Sequence, residues 1–278
     1  MKHFFIFFIF SGLSLFGKPK VYDCFLFLNE LEILDIRLHE MNDYVDKFVL
    51  LESIETFRGE PKPLIFAQNA ARFAEFSDKI IHIVYDQRIH TSDAWRREIS
   101  QRNSLLKGLL HCEKDDIVMI SDVDEIVNKE GIAAIIDAIS TGKHKIVGAN
   151  QRFHTVFLNS AAPTFWRGTV AAKYSLVKKY TPQGLREMRN GVPAVAGGWH
   201  FTWMGGLEQV LYKMRSYSHA ESDTFHDRER TKEDYRTQEK FPMAVPLDDT
   251  FPQYLIENQK YLESIGYIVP PLEIGDPS

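Results

Sequence analysis

The chain has 278 residues, 44% of them hydrophobic and 26% charged, and its 33 basic and 38 acidic side chains give a formal charge of −5. A chain of this size holds a core without disulfides or structural zinc, and the absence of a dominant basic run argues against a nucleic-acid partner. Its two cysteines, Cys24 and Cys112, lack CxxC or histidine-rich spacing, so they read as buried free thiols and not as zinc ligands.

Residues 1–17 combine Lys2 and His3 with an apolar run from Phe4 to Phe10 and a small, uncharged stretch from Ser11 to Gly17. The run is shorter than the roughly 20 residues of a membrane span. It suits a signal-peptide core, with an uncleaved signal anchor as the alternative. Six phenylalanines in sixteen residues, without alternation, do not read as a first strand. A single folded domain is expected over residues 21–270, in two halves, 21–148 and 149–270.

From Val21 the pattern alternates strand and helix. Val21–Leu28 is an apolar run of strand length. Asn29 is placed to cap a helix carrying Leu31, Leu34, Leu38 and Met41 at helical spacing. Val45–Leu51 and Ile80–Tyr85 read as buried strands, with Asp93–Leu110 as a helix that carries Trp95, Ile99, Leu106 and Leu109 or Leu110 on one side. Ile117–Ile120 is a fourth strand and Gly131–Ile139 a helix. The alternation predicts an α/β fold, mostly parallel, with helices on both faces. Ligands in such sheets bind beyond the strands' carboxyl ends, which singles out Asn29–Glu30, Glu52–Ser53, Asp86 and Ser121–Glu125. Beyond Gly148, Thr155–Leu158 and Ala171–Val177 read as a small antiparallel element, Leu207–His219 as a helix and His219–Tyr235 as a polar loop.

The strongest chemical signal is Ile117-Val118-Met119-Ile120-Ser121-Asp122-Val123-Asp124-Glu125, an apolar strand running into three carboxylates. Asp122 and Asp124 form a DXD motif at a strand end. Two hard oxygen donors there suit Mn²⁺ or Mg²⁺ shared with a diphosphate. The blander reading is an acidic strand end leading into a helix, and a DXD alone is weak. A phosphohydrolase with a catalytic aspartate pair is a rival, but such a pair would end the first strand, which here ends in Phe27-Leu28-Asn29-Glu30.

Several ordered blocks carry a resemblance. They are Tyr22-Asp23-Cys24-Phe25, Asn29-Glu30-Leu31, Ile36-Arg37-Leu38, Phe48-Val49-Leu50-Leu51-Glu52-Ser53, Thr56-Phe57 and Pro61-Lys62-Pro63-Leu64. Trp95-Arg96-Arg97-Glu98 with Gln101-Arg102 follows, then Asp122–Glu125, Gly197-Gly198-Trp199-His200-Phe201 with Gly205-Gly206, and Ser218-His219-Ala220-Glu221. Over roughly Val21 to Glu221 the chain resembles glycosyltransferase family 17, the β-1,4-mannosyl-glycoprotein 4-β-N-acetylglucosaminyltransferases. The resemblance implies a GT-A-like fold, a UDP-N-acetylglucosamine donor, a divalent metal, inversion at the anomeric carbon and a glycan or glycoprotein acceptor. The animal enzymes resemble a membrane anchor followed by a stem. Here only Lys18, Pro19 and Lys20 separate Gly17 from Val21, which leaves the acceptor open between an N-glycan mannose core and another glycan.

On that reading Asn29, Glu52, Ser53, Arg102 and Asp122 are expected to hold the nucleotide sugar. Glu52 and Ser53 serve equally as caps, and Arg102 either grips the diphosphate or pairs with Glu98 at helical spacing. Asp122 and Asp124 are the expected metal ligands, with His219 or His200 as a third. Trp199 and Trp203 either stack on sugar or fill the core. The proton acceptor must not be a tight metal ligand, so Glu221 is the expected catalytic base, with Glu125 and Glu208 as competitors. A non-catalytic sugar- or nucleotide-binding protein is the alternative class.

Overall fold

The computed structural model describes residues 18–219, 221, 223–238 and 241–270. The expected signal segment, 1–17, lies outside them. Among the described residues no helix is long and apolar enough to cross a membrane.

The first half matches the expected alternation closely. Strands β1 (Val21–Phe27), β2 (Lys47–Ser53), β3 (Ile80–Tyr85) and β4 (Ile117–Asp122) are joined through α1 (Leu31–Met41), a short α2 (Ile65–Asn69) and α3 (Ala94–Asn103). They pair in parallel in the order β3-β2-β1-β4. The helix expected over Asp93–Leu110 ends at Asn103 and continues as a 3₁₀ turn over Ser104–Leu109. Asp93 caps it by accepting from the Trp95 amide, and Trp95 itself is exposed, packed edge-on against the His219 ring instead of in the core. Asn29 does not cap α1; its Nδ2 donates to Gln209, and the Glu30 carboxylate receives the Leu28 and Asn29 amides instead.

The chain then forms β5 (Glu125–Ile126), α4 (Lys129–Ser140), β6 (Ile146–Thr155), β7 (Ala161–Lys173), α5 (Tyr174–Met188), β8 (Ala194–Thr202), α6 (Gly206–Ser216), α7 (Phe225–Thr237), α8 (Gln253–Glu257) and α9 (Gln259–Ser264). All eight strands form one sheet, ordered β3-β2-β1-β4-β7-β6-β8-β5. The antiparallel pairings β4–β7, β6–β7 and β5–β8 make the second part larger than the small element expected. Tyr174–Val177 begins a helix rather than ending a strand, and that helix is broken at Thr181, ahead of Pro182. The polar stretch expected as a loop is helix α7, closed by a capping box between Thr224 and Asp227.

Strand alternation sorts the core onto the sheet's two faces. Val21, Phe25 and Phe27 of β1 join Phe48, Leu50 and Met119 against α1 and α4. Tyr22, Cys24 and Leu26 join Val49, Leu51, Val118 and Ile120 against the 3₁₀ turn and α5. Both cysteines are buried free thiols. Asp23 falls on the first face, where α1 presents Arg37, and both are fully buried. Arg37 makes a two-pronged pair with Asp23, Nε to Oδ2 at 2.7 Å and Nη2 to Oδ1 at 2.6 Å. Its remaining donors go to Ser121 Oγ and to the carbonyls of Asp122, Val123 and Glu125, at 2.6–3.1 Å. A single guanidinium from α1 thus holds the turn that leaves β4.

Removing one partner of a buried pair leaves the other charged and unsolvated, so Arg37→Met is expected to lower the unfolding free energy by about 3–5 kcal/mol, measured by urea denaturation. Adding Asp23→Val should recover part of that loss, because no unpaired carboxylate then remains; a single variant as stable as the parent would show that the pair carries no weight. A second expectation concerns pH. Burial of His154 between Phe201 and Phe251, aided by nearby Arg152, lowers its pKa from 6.5 to about 4. The unfolded chain takes up this proton near pH 6.5 and the folded chain only near 4, so the stabilisation is complete above 6.5 and drains as pH falls, by up to about 3 kcal/mol. Melting temperatures between pH 7 and 4.5 should therefore fall less steeply in His154→Gln than in the parent.

Candidate active site

The carboxyl ends of β1, β2 and β4 open into a cleft of about 400 Å³, a volume suited to a small ligand. Leu28 and Glu30 after β1, Glu55–Phe57 after β2, and Trp95, Glu98 and Arg102 of α3 form one wall. Asp122–Asp124 lie at its floor. Phe153, Trp166 and His200 face them from β6, β7 and β8, while Lys213, Tyr217 and His219 close the cleft from α6 and the segment after it.

Asp122 and Asp124 point into this one cleft, each against cations. Asp122 Oδ1 lies 2.9 Å from Arg102 Nη2, and its Oδ2 lies 2.7 Å from Arg186 Nη2. Asp124 Oδ2 lies 2.8 Å from Lys213 Nζ, and its Oδ1 lies 3.5 Å from His200 Nε2. Burial would raise both carboxyl pKa values; Arg186 and Arg102 overcome it at Asp122, and Lys213 with His200 at Asp124, so both are held well below the usual range. Both acids are therefore anionic at neutral pH, and Lys213 is correspondingly held as a cation, its pKa raised by Asp124 and Glu30 against the effect of burial. Arg102 combines its two expected roles: Nη1 pairs with Glu98 at 2.7 Å while Nη2 holds Asp122.

Glu125 is not free to accept a substrate proton. It is fully buried, and it takes four donors: Trp166 Nε1, two from Arg186, and the Asp122 amide, all at 2.6–2.9 Å. Glycine at 168 makes the arrangement fit, since a Cβ there would stand 2.5 Å from the Glu125 carboxyl carbon. Glu52 and Ser53 also face away from the cleft. Glu52 accepts from the Phe66 and Ala67 amides at 2.7 and 3.2 Å, fixing the start of α2, and Ser53 Oγ receives the Glu55 amide. The chain beyond them, Glu55–Phe57, lines the cleft in their place, and Leu28 and Glu30 do so in place of Asn29.

His219 lines the cleft, and its Nδ1 lies 2.7 Å from Glu221 Oε1 at the rim. That hydrogen bond lowers the pKa of Glu221. Trp199 is core, stacked parallel to Phe201, whereas Trp203 lines the cleft with a backbone φ of 62°. A bulky residue in that region is strained, and such strain gathers at functional sites. Gly205 and Gly206, at φ 92° and 80°, complete the turn that launches α6 and with it Lys213. Gly198 is required for a different reason: a Cβ there would lie 2.0 Å from the Ile126 carbonyl, where β8 meets β5.

Arg186, Lys213 and Trp166 were not singled out in the sequence. Arg186 lies in a helix whose start reads as a strand, and Lys213 is one of several charged residues along α6. Arg37 did leave a signal: a guanidinium flanked by Ile36 and Leu38 among the apolar positions of α1.

Comparisons with known proteins follow this geometry. The β-1,4-mannosyl-glycoprotein 4-β-N-acetylglucosaminyltransferases of Homo sapiens and Rattus norvegicus are each 26% identical to the chain over 285 aligned positions, covering 83% of it. The chain spans about half the length of these curated relatives, 52% and 51%. Among solved structures, the mannosyltransferase PcManGT of Pyrobaculum calidifontis, in complex with GDP-Man and Mn²⁺, superposes with a TM-score of 0.45 at 13% identity, covering 72% of this chain and 62% of that one. GalNAc-T7 with UDP, GalNAc and Mn²⁺ superposes with a TM-score of 0.43 at 11% identity, covering 92% of this chain and 59% of that one. The sequence profile of glycosyltransferase family 17 matches residues 12–266, and the chain belongs to that family.

Proposed function

We propose that the chain transfers N-acetylglucosamine from UDP-N-acetylglucosamine to a glycan, with inversion and with Mn²⁺ or Mg²⁺ as cofactor. The observation that carries this reading is the pair Asp122 and Asp124, ionised and enclosed by Arg102, Arg186 and Lys213 in one cleft at the sheet's carboxyl edge. A non-catalytic sugar-binding protein has no need of such a charge assembly. By the same reading residues 21–270 act as one catalytic domain, and Phe4–Phe16 directs it out of the cytoplasm.

The donor atoms suit a small divalent cation. Among the described residues no cluster of three acidic, histidine or cysteine side chains is preassembled. Asp124 Oδ1 and His200 Nε2, 3.5 Å apart, are spaced as two ligands of one ion would be. Mn²⁺ and Mg²⁺ take further ligands from substrate phosphates and water. Asp124 and His200 would hold the ion, with Asp122 beside it. Bound there, it supplies neutralisation of the charge on the departing nucleoside diphosphate.

The chain's own cations would act on the same charge: on this reading Arg102, Arg186 and Lys213 bind the diphosphate and orient it. The acceptor hydroxyl attacks the anomeric carbon from the side opposite the diphosphate and gives up its proton. Glu221 enters this step through His219. The carboxylate holds Nδ1, leaving Nε2 as the nitrogen that receives the proton, and the imidazolium that forms is stabilised by Glu221.

Two measurements test these assignments. Mn²⁺ with UDP should raise the melting temperature of the parent and not of Asp124→Asn, whose transfer should be abolished; full transfer by the parent in excess chelator would remove the metal from the reaction. Glu221→Gln and His219→Gln should each cut turnover by roughly 10²–10⁴-fold with the KM for UDP-N-acetylglucosamine little changed. Near-normal turnover in both would move the proton acceptor elsewhere on the cleft wall, to Glu30.

A further inference from the structure

The cations around the acidic pair are matched by carboxylates, with one exception. Arg102 pairs with Asp122 and Glu98, Arg186 with Asp122 and Glu125, and Lys213 with Asp124 and Glu30. Arg189, one turn beyond Arg186 at the end of α5, has no carboxylate in contact among the described residues. Its Nη1 donates to the Arg186 carbonyl at 3.1 Å, and its guanidinium carbon lies 5.8 Å from the centre of the Trp166 ring. It is only partly exposed. Burial lowers its pKa, with Arg186 adding to the effect and the more distant Glu125 and Asp122 opposing it. Such a cation is poorly solvated and has no carboxylate in contact, so an anion arriving from outside gains more than it would at an ordinary surface arginine.

Arg189 also stands at a junction. Together with Trp166 it lines both the cleft and a second depression, formed by the strand pair β6–β7 and the turn after α5. The rest of that depression is Asn150, Phe165, Arg167 and Asn190. Phe165 presents its ring to solvent at 68% exposure. Arg167 is already engaged, by Asn150 Oδ1 and by the Asn190 and Val192 carbonyls. The amide nitrogens of Asn150 and Asn190 have no hydrogen-bond partner among the described residues. An exposed aromatic face beside free side-chain amides is the chemistry of a saccharide surface: sugar C–H groups lie on the ring, and hydroxyls meet the amides.

We infer that this depression is the acceptor subsite of the transferase proposed above, and that Arg189 selects an acceptor saccharide carrying an anionic group, a carboxylate or a phosphate. The inference rests on that proposed activity for its meaning, but not for all of its test. Arg102, Arg186 and Lys213 surround Asp122 and Asp124, where the donor diphosphate belongs. Arg189 lines the depression as well as the cleft, and with no carboxylate in contact among the described residues its charge is left for the second substrate.

The test uses the full chain, UDP-N-acetylglucosamine and three synthetic acceptors built on one mannose oligosaccharide: neutral, uronate-terminated and phosphorylated. The parent should use one or both acidic acceptors with a kcat/KM about tenfold or more above the neutral one, the scale of one charge-assisted contact. The carboxylate and phosphate arms identify the anion. Arg189→Gln should erase the preference while leaving the KM for UDP-N-acetylglucosamine and donor hydrolysis without acceptor unchanged, and Arg189→Lys should retain part of it. Equal use of neutral and acidic acceptors by the parent would overturn the proposal. So would an Arg189→Gln defect that appears equally in donor KM and hydrolysis, which would assign the arginine to the donor phosphates. Binding separates this inference from the transferase reading. Glucuronate or glucose 1-phosphate should quench tryptophan fluorescence saturably in the parent, with methyl mannoside ineffective, and the signal should vanish in Trp166→Phe and weaken at least about tenfold in Arg189→Gln. Quenching without any transfer would sink the transferase reading alone; quenching that survives Arg189→Gln unchanged would sink the anion subsite.

Discussion

Everything at the acidic turn depends on how Arg37 spends its hydrogen bonds. A guanidinium has five donors in one plane, and here none reaches solvent. Two grip Asp23 on β1, and the others grip the backbone of the turn after β4 and Ser121 at its start. Because the carbonyls of Asp122, Val123 and Glu125 are taken from beneath, the side chains of Asp122 and Asp124 are left to point upward into the cleft. Asp23 holds the arginine in place, and the Phe25 ring lies against its guanidinium at 4.4 Å. The position of two cleft carboxylates is thus set by a third that is fully buried beneath them.

A second layer of charge works above the turn. Glu125 is drawn away from the cleft by Arg186 and Trp166, and in holding Arg186 it aims that residue at Asp122. The three carboxylates of one short segment therefore divide by surroundings. Asp122 and Asp124 stay at the cleft floor among cations, and Glu125 becomes part of the scaffold. At Asp122 and Asp124 burial and the neighbouring cations act in opposite senses, and the cations prevail.

Much of the architecture of the first half was legible in the chain. Strand β3 falls where its apolar run lies, although it is a half-buried edge strand, and β1, β2 and β4 do so within a few residues, because strands buried on both faces read as continuous apolar runs. The acidic turn was legible as a place, an apolar strand running into aspartates at the sheet's carboxyl edge, although the motif alone is weak and its position in the alternating pattern gave it weight. The remainder was hidden for identifiable causes. Helix α7 has no buried residue, so it has no apolar stripe to betray its period. Helix α5 begins with Tyr174 and Val177 on a face that passes for a strand, and its break at Thr181 conceals the turn that delivers Arg186. Glu52 sits where ligand-binding residues gather, yet its carboxylate turns inward to the α2 amides, a choice set by which side of the strand it occupies. Arg186, Lys213 and Trp166 matter through partners distant in sequence, which no local pattern encodes.

The strand order has a mechanical corollary. β4 sits in the middle of the sheet and β5 at its far end, paired to β8, yet only Val123 and Asp124 separate the two strands. So short a tether between non-neighbouring strands forces the sheet to curl until its far edge meets its centre. The acidic turn is the clasp of that curl. Strands that carry His200 and Trp166 cannot slide or swing without pulling on Asp122 and Asp124, and the two sides of the cleft behave as one stiff frame instead of jaws about a hinge.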